Sequence, residues 1–241
     1  MLVKTKAIVL HSFKYGETSV IARLFTREAG LQSYLVSGVR KSRSRIKQNL
    51  FQPLTIVDLV AYQKEKGGLQ RIREITCPAP FENIPYDIPK TSIAIFLSEI
   101  LTKSVKEQEP YPELFDFIFS ALDFLDHTKG KVSDFHLIFL LKLSRYLGFY
   151  PRTNYDQTHC FFNLKEGMFQ KNPCAISLCL DKELSRHFFE LAHTGFAEME
   201  ALSINPQTRK SLLEKTLDYY RMHLEGFQEV RSHFVLEMVL N

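Results

Sequence analysis

The sequence predicts an α+β protein: a five-stranded barrel of the OB kind over residues 1–80, then a larger α-helical domain over 81–241 in which 152–181 is irregular. Three observations carry this prediction. Short runs rich in β-branched and aromatic residues, set apart by turn sequences, fill the chain up to Thr76. Composition changes abruptly at Cys77-Pro78-Ala79-Pro80. Beyond Pro89, apolar residues recur at helical spacing.

The strands follow in order. Lys4–Lys14 and Ser19–Thr26 are separated by Tyr15-Gly16-Glu17-Thr18, and in the second run Val20, Ala22 and Leu24 alternate with Ile21, Arg23 and Phe25. Arg27-Glu28-Ala29-Gly30 makes a turn into Leu31–Gly38; Thr55–Tyr62 is a fourth strand, and Gly67-Gly68 leads into a fifth at Leu69–Thr76. Five short strands with a basic insertion, roomy enough for a short helix, between the third and fourth fit a small closed OB barrel. An SH3-like barrel has a similar strand count. Prolines 78, 80, 85 and 89 read as a linker.

Helices follow. Ile93, Leu97, Ile100 and Leu101 share one face, as do Leu114, Ile118, Ala121, Leu122 and Leu125. Asp134 is placed to cap a third helix that runs to Leu147, is apolar nearly all round and therefore belongs at the centre of a bundle. Two more helices are expected near Asp181–Thr194 and Pro206–Leu224, the latter with Asn205 as its cap, and the apolar tail Ser232–Leu240 packs back onto the bundle.

The net charge of +4 conceals an asymmetry. Residues 1–81 hold 14 Lys and Arg against 5 acids, a net +9, and the remainder carries −5. A basic segment joined to a mildly acidic one points to a polyanion as partner of the first. No uncharged apolar run is long enough to cross a membrane, and only Ala7–Leu10 follows the basic start, too short for a signal-peptide core. The expected location is the cytoplasm.

Enzyme motifs are missing: there is no phosphate-binding glycine loop, no dinucleotide fingerprint and no H-E-x-x-H, and the eight histidines are scattered. The expectation is a non-enzyme without a cofactor. Four cysteines (Cys77, Cys160, Cys174, Cys179) form no disulfide scaffold. His159 and Cys160 are adjacent, which suits one tetrahedral ion poorly, so buried free thiols are expected rather than a metal site.

The strongest local feature is Arg40–Lys47, five cations in eight residues with Ser42 and Ser44 between them. As a loop after the third strand, Arg40, Lys41, Arg43, Arg45 and Lys47 would set a positive lip beside the barrel, and Arg23, Arg71 and Arg73 would extend it into a track for nucleic-acid phosphates. A solvated basic loop is the simpler alternative. Tyr15, Phe25, Tyr34 and Tyr62 lie on or near the strands, with Phe25 on the face of Arg23; each serves either the core or a stacking platform.

In this order, Ala7-Ile8-Val9-Leu10, Tyr15-Gly16-Glu17-Thr18-Ser19, Phe25-Thr26 with Gly30, Gly38-Val39-Arg40-Lys41-Ser42, Leu50-Phe51-Gln52-Pro53 and Leu147-Gly148-Phe149-Tyr150-Pro151 resemble the RecO family of bacterial recombination mediators. Tyr219-Tyr220 and Arg231-Ser232 through Leu236 are similar to that family as well. The resemblance implies an OB domain, a helical domain and no enzymatic turnover. It implies binding of single- and double-stranded DNA, annealing of complementary strands, loading of recombinase onto coated strands, association with the nucleoid, and two partners: RecR and the acidic tail of the single-stranded DNA-binding protein. Many members carry a zinc finger of two C-x-x-C pairs at the equivalent of 156–180; this chain departs from that pattern, which leaves a metal-free hairpin around Glu166-Gly167 as the expectation. Lys142 and Arg145, three apart on the most apolar helix, are the candidates for the partner tail, or merely snorkel from the core. The alternative function is an RNA-binding OB module of translation or RNA processing; an enzyme with a dispersed site is a third class.

Overall fold

The computed structural model describes residues 1–39, 46–62 and 68–240. Strands β1 (Leu2–Tyr15), β2 (Ser19–Thr26), β3 (Gly30–Val36), β4 (Ile56–Tyr62) and β5 (Gln70–Thr76) close into a barrel in the order β1-β2-β3-β5-β4. One long β1 serves both neighbours, pairing through Leu2–Ile8 with β4 and through Ala7–Tyr15 with β2. The barrel closes where β3 and β5 run parallel at Tyr34–Gln70 and Leu35–Arg71. Alternation puts Ala7, Val9, Val20, Ala22, Leu24, Tyr34, Val57, Leu59 and Ala61 inside. A 3₁₀ turn, Gln48–Phe51, delivers Phe51 to this core, and Arg40–Arg45 lie outside the described residues.

The chain forms two compact units, residues 1–86 with 97–126, and 87–96 with 127–241. Helix α1 (Ile88–Ser104) contributes to both, and α2 (Pro112–His127) lies in the first up to Asp126. In the first unit Ser98 and Thr102 donate their hydroxyls to the Leu10 carbonyl at 3.2 and 3.3 Å, and the Leu31 N–H donates to the Glu107 carbonyl at 2.7 Å. Gly30 is required at the turn into β3: its φ is +63°, and a Cβ there would lie 2.2 Å from the Glu109 carbonyl oxygen. The proline-rich stretch is tied down, because the buried Asp126 carboxylate accepts the N–H groups of Glu82, Asn83 and Ile84 at 2.7–2.9 Å. Pro89 sits in the first turn of α1, where its missing N–H is not needed.

In the second unit α3 (Phe135–Tyr146) packs against α4 (Lys182–His193) and α5 (Pro206–His223), and nine of its residues are buried, as an all-round apolar helix requires. Asp181 and Asn205 cap α4 and α5 through the N–H groups of Leu184 and Thr208, both at 2.8 Å. The expected cap at Asp134 is absent: its side chain makes no cap bond and instead accepts Arg209 Nε at 2.7 Å in a fully buried ion pair. The Arg209 guanidinium also donates to the carbonyls of Ile204, at 2.9 Å, and Leu240, at 3.3 Å, which fastens α6 (His233–Leu240). Residues 152–181 contain the expected hairpin, β6 (Phe161–Asn163) and β7 (Met168–Gln170), turning through Gly167 at φ +63°.

Arg209→Ala strands the Asp134 carboxylate in the core and should lower unfolding stability by about 3–5 kcal/mol in urea. His136, packed edge-on to Phe96, is held by burial and then by the nearby Arg209 charge at about 3, below its ordinary 6.5. The fold therefore prefers the neutral ring, while the unfolded chain takes the proton first as pH falls. Its contribution is intact above about pH 6.5 and is lost toward pH 3, by up to about 1.4 kcal/mol per pH unit. Urea titrations across that window should show a shallower decline with pH for His136→Phe than for the unaltered chain.

Candidate nucleic-acid interface

The outer face of the barrel is organised by two bulges. In β1, Val9 faces Leu24 and His11 faces Arg23, so Leu10 is an extra residue without a partner in β2. Before it, Thr5, Ala7 and Val9 point inward; after it Ser12 and Lys14 take that side, and His11, Phe13 and Tyr15 face out. In β5, Glu74 faces Val60 and Ile72 faces Ala61, which makes Arg73 the extra residue.

These registers align one row of outward residues across all five strands. Phe13 pairs with Ile21, Ile21 with Leu35, Leu35 with Arg71, Arg71 with Tyr62, and Tyr62 with Leu2. A second, shorter row runs His11–Arg23–Ser33. Three aromatic rings stand half exposed on this face, Phe13 at 45%, Tyr15 at 52% and Tyr62 at 51%. The rings of His11 and Phe13 stack at 5.9 Å with 29° between planes.

Of the residues singled out from the sequence, Arg23 is half buried beside His11, and Arg71 is exposed opposite Tyr62. Among the described residues neither forms an ion pair. Arg73 is exposed and directs Nε to Glu74 at 3.4 Å. Lys47 is exposed at the start of the 3₁₀ turn, next to Ile46, which packs on the barrel core. Arg40, Lys41, Arg43 and Arg45 lie outside the described residues. Phe25 shares the outward face of Arg23 as expected, yet it is fully buried because Phe115 of α2 covers it at 6.0 Å, so it is core. Tyr34 is core as well, and burial pushes its phenol up to about 12. Sequence reasoning did not single out Phe13, because uninterrupted alternation from Val9 would point it inward.

Lys142 and Arg145 lie in the second unit. The Arg145 guanidinium stands 4.4 Å from the centre of the Tyr150 ring, whose hydroxyl donates to the Ala192 carbonyl at 2.7 Å. Partial burial, then the Arg145 charge, lowers the Lys142 ammonium from its ordinary range, and Glu198 partly opposes this. Cys160 and Cys179 are buried. The Cys174 N–H donates to Cys179 Sγ at 3.2 Å, and burial followed by Cys179 pushes the Cys174 thiol up to about 11. His159 faces the Asp156 carboxylate at 3.0 Å. Among the described residues no three His, Cys, Asp or Glu side chains converge for a metal, and no helix is long and apolar enough to cross a membrane.

The closed five-stranded barrel in the order β1-β2-β3-β5-β4 defines an OB-fold protein. Comparison with known families narrows the class. Residues 1–81 match the family model for Recombination protein O N terminal, and residues 85–232 match Recombination protein O C terminal. The chain is 38% identical to the DNA repair protein RecO of Flavobacterium psychrophilum and 37% identical to that of Flavobacterium johnsoniae, each over the whole of both chains. With the DNA repair protein RecO of Phocaeicola vulgatus it shares 35% identity over 98% of each chain. The chain belongs to the RecO family of DNA repair proteins.

The division between core and surface rings has a direct consequence for stability. Phe25→Ala should cost about 3–5 kcal/mol. Tyr62→Ala should stay within about 0.5 kcal/mol, as for other surface changes. Urea denaturation of the two variants checks both.

Proposed function

We propose that this chain is a recombination mediator that binds single- and double-stranded DNA, anneals complementary strands and helps load recombinase onto strands coated by the single-stranded DNA-binding protein. The observation that carries the reading is the outward row Phe13–Ile21–Leu35–Arg71–Tyr62, with Arg23 beside it, on a barrel unit of net positive charge. Arg40, Lys41, Arg43 and Arg45 follow Leu35 within ten residues of sequence and would supply phosphate contacts.

Annealing makes and breaks no covalent bond. It needs a surface that neutralises one strand's phosphates, so that the second strand approaches without full repulsion, and that leaves the base edges free. Counterion release drives such binding and makes it salt-sensitive. RecR and the acidic tail of the single-stranded DNA-binding protein are the proposed protein partners. Arg145, set against Tyr150, and the partly desolvated Lys142 near it support the tail assignment, since two neighbouring cations favour a carboxylate.

Lys41→Glu, Arg43→Glu and Arg45→Glu together should abolish oligonucleotide binding at moderate salt while circular dichroism stays unchanged. Neutralising the same three residues to Ala should reduce the slope of log affinity against log salt by about 2 for a single strand, near 0.7 per phosphate contact. An unchanged slope would remove these residues from the interface. DNA and RNA strands of one sequence, set in competition, separate this reading from an RNA-binding role, which would favour the 2′-hydroxyl strand.

A further inference from the structure

We propose that Cys174 and Cys179 form a reversible dithiol–disulfide site, closed by exchange with a small-molecule disulfide such as oxidised glutathione. The inference concerns the second unit alone and stands apart from the nucleic-acid reading of the barrel.

The connection between β7 and α4 brings the two cysteines together. A tight turn closes over Ala175–Leu178, where the Leu178 N–H donates to the Ala175 carbonyl at 2.8 Å, and Cys174 and Cys179 flank it. The turn reverses the chain, so that Cys179 Sγ comes to 3.2 Å from the Cys174 nitrogen and accepts its N–H. The Cys174 sulfur turns about the Cα–Cβ bond next to that nitrogen, and one side-chain rotation brings the two sulfurs to bonding distance. The thiols already interact: burial first, then the hydrogen bond to Cys179, push the Cys174 thiol up to about 11.

The surrounding backbone is fixed before any bond forms. The Leu164 N–H donates to the Leu178 carbonyl at 2.8 Å, and the Leu180 N–H to the Phe162 carbonyl at 2.9 Å. Cys179 bridges Asn163 at the end of β6, and Lys215 of α5 donates to the Ile176 carbonyl at 3.0 Å. Closing the small ring therefore orders little that is not already ordered. Ala175, Ile176 and Ser177 are exposed and Cys174 is half-buried, so a small disulfide reaches the pair from solvent.

The exchange is balanced in two displacements. A thiolate of the pair attacks one sulfur of the small disulfide and expels a small thiolate. The second cysteine, deprotonated in turn, attacks the mixed disulfide and expels the other. One S–S bond breaks and one forms, the two cysteines give up two electrons, and their two protons pass to the released thiols. Because Cys174 holds its proton, the exchange is slow, while its equilibrium follows from how closely the fold holds the two sulfurs. In a reducing compartment the pair stays a dithiol, and it closes as the ratio of small disulfide to thiol rises. Closure staples the connection immediately ahead of Asp181, the cap of α4.

Trypsin gives a direct readout, because cleavage after Lys171 and Lys182 leaves both cysteines in one peptide, with Cys77 and Cys160 in two others. The full chain is equilibrated in glutathione buffers of graded reduced-to-oxidised ratio, quenched with iodoacetamide in urea, digested and analysed by mass spectrometry. The 172–182 peptide should pass from two alkyl groups to none, lighter by two hydrogens, while Cys77 and Cys160 keep their labels. Folding should favour closure by at least about tenfold over the same chain equilibrated in concentrated urea. In Cys174→Ser and in Cys179→Ser, oxidation of the remaining cysteine should stop at the glutathione adduct, which assigns the bond to this pair. A 172–182 peptide that keeps both alkyl groups in the most oxidising buffer overturns the site. So does closure no more favourable in the folded chain than in urea, or a disulfide from either cysteine to Cys160.

Discussion

One unpaired residue in the first strand orders much of the first unit. Leu10 has no opposite number in β2, and a single extra residue reverses the facing of every residue after it. The bulge also frees the Leu10 carbonyl from the ladder, and the hydroxyls of Ser98 and Thr102 on α1 take it up. The defect in the sheet is therefore the point at which the helix is bonded to it. Covered face and open face meet there: Ile8 and Leu10 are buried, and from His11 onward the outward side chains are exposed. A buried carbonyl left without a donor would cost about 1–3 kcal/mol, so the two hydroxyls hold the bulge in register as well as fastening the helix.

The rest of the unit extends this arrangement. Phe25 packs under Phe115 on the covered side, and Arg27 meets Asp116 through two hydrogen bonds of 2.8 and 2.9 Å. That exposed pair raises the Arg27 guanidinium and lowers the Asp116 carboxyl, yet screening leaves its contribution small beside the apolar burial. The second unit takes its order from a buried pair instead. Asp134 and Arg209 form a buried ion pair in the interior of the bundle, and the same guanidinium reaches the carbonyls of Ile204 and Leu240. Removing one member of such a pair is costly because the other is left buried and uncompensated.

Periodicity made most of the architecture legible. Strand β2 begins and ends at the expected residues, α4 lies where a helix was expected, and α5 starts behind the cap that Asn205 announces. The barrel strands and the central apolar helix have local signatures, and local signatures survive in sequence; the hairpin near Gly167 was expected from the family resemblance instead. Features that depend on a distant partner did not. Asp134 resembles a helix cap until Arg209, far along the chain, claims its carboxylate. Phe25 resembles a platform until Phe115 covers it, and Phe13 resembles core until the bulge at Leu10 is counted. The basic run was plain from composition, whereas the exposed rings beside Arg23 and Arg71 required the strand register.

The central claim is that the open barrel face holds the single strand. Photocrosslinking of a bromouracil-substituted single strand, followed by peptide identification, tests it most directly, because the brominated base couples to aromatic side chains lying against it. Crosslinks concentrated at Phe13, Tyr15 and Tyr62 are the expected result. Crosslinks confined to residues 127–240 would contradict it.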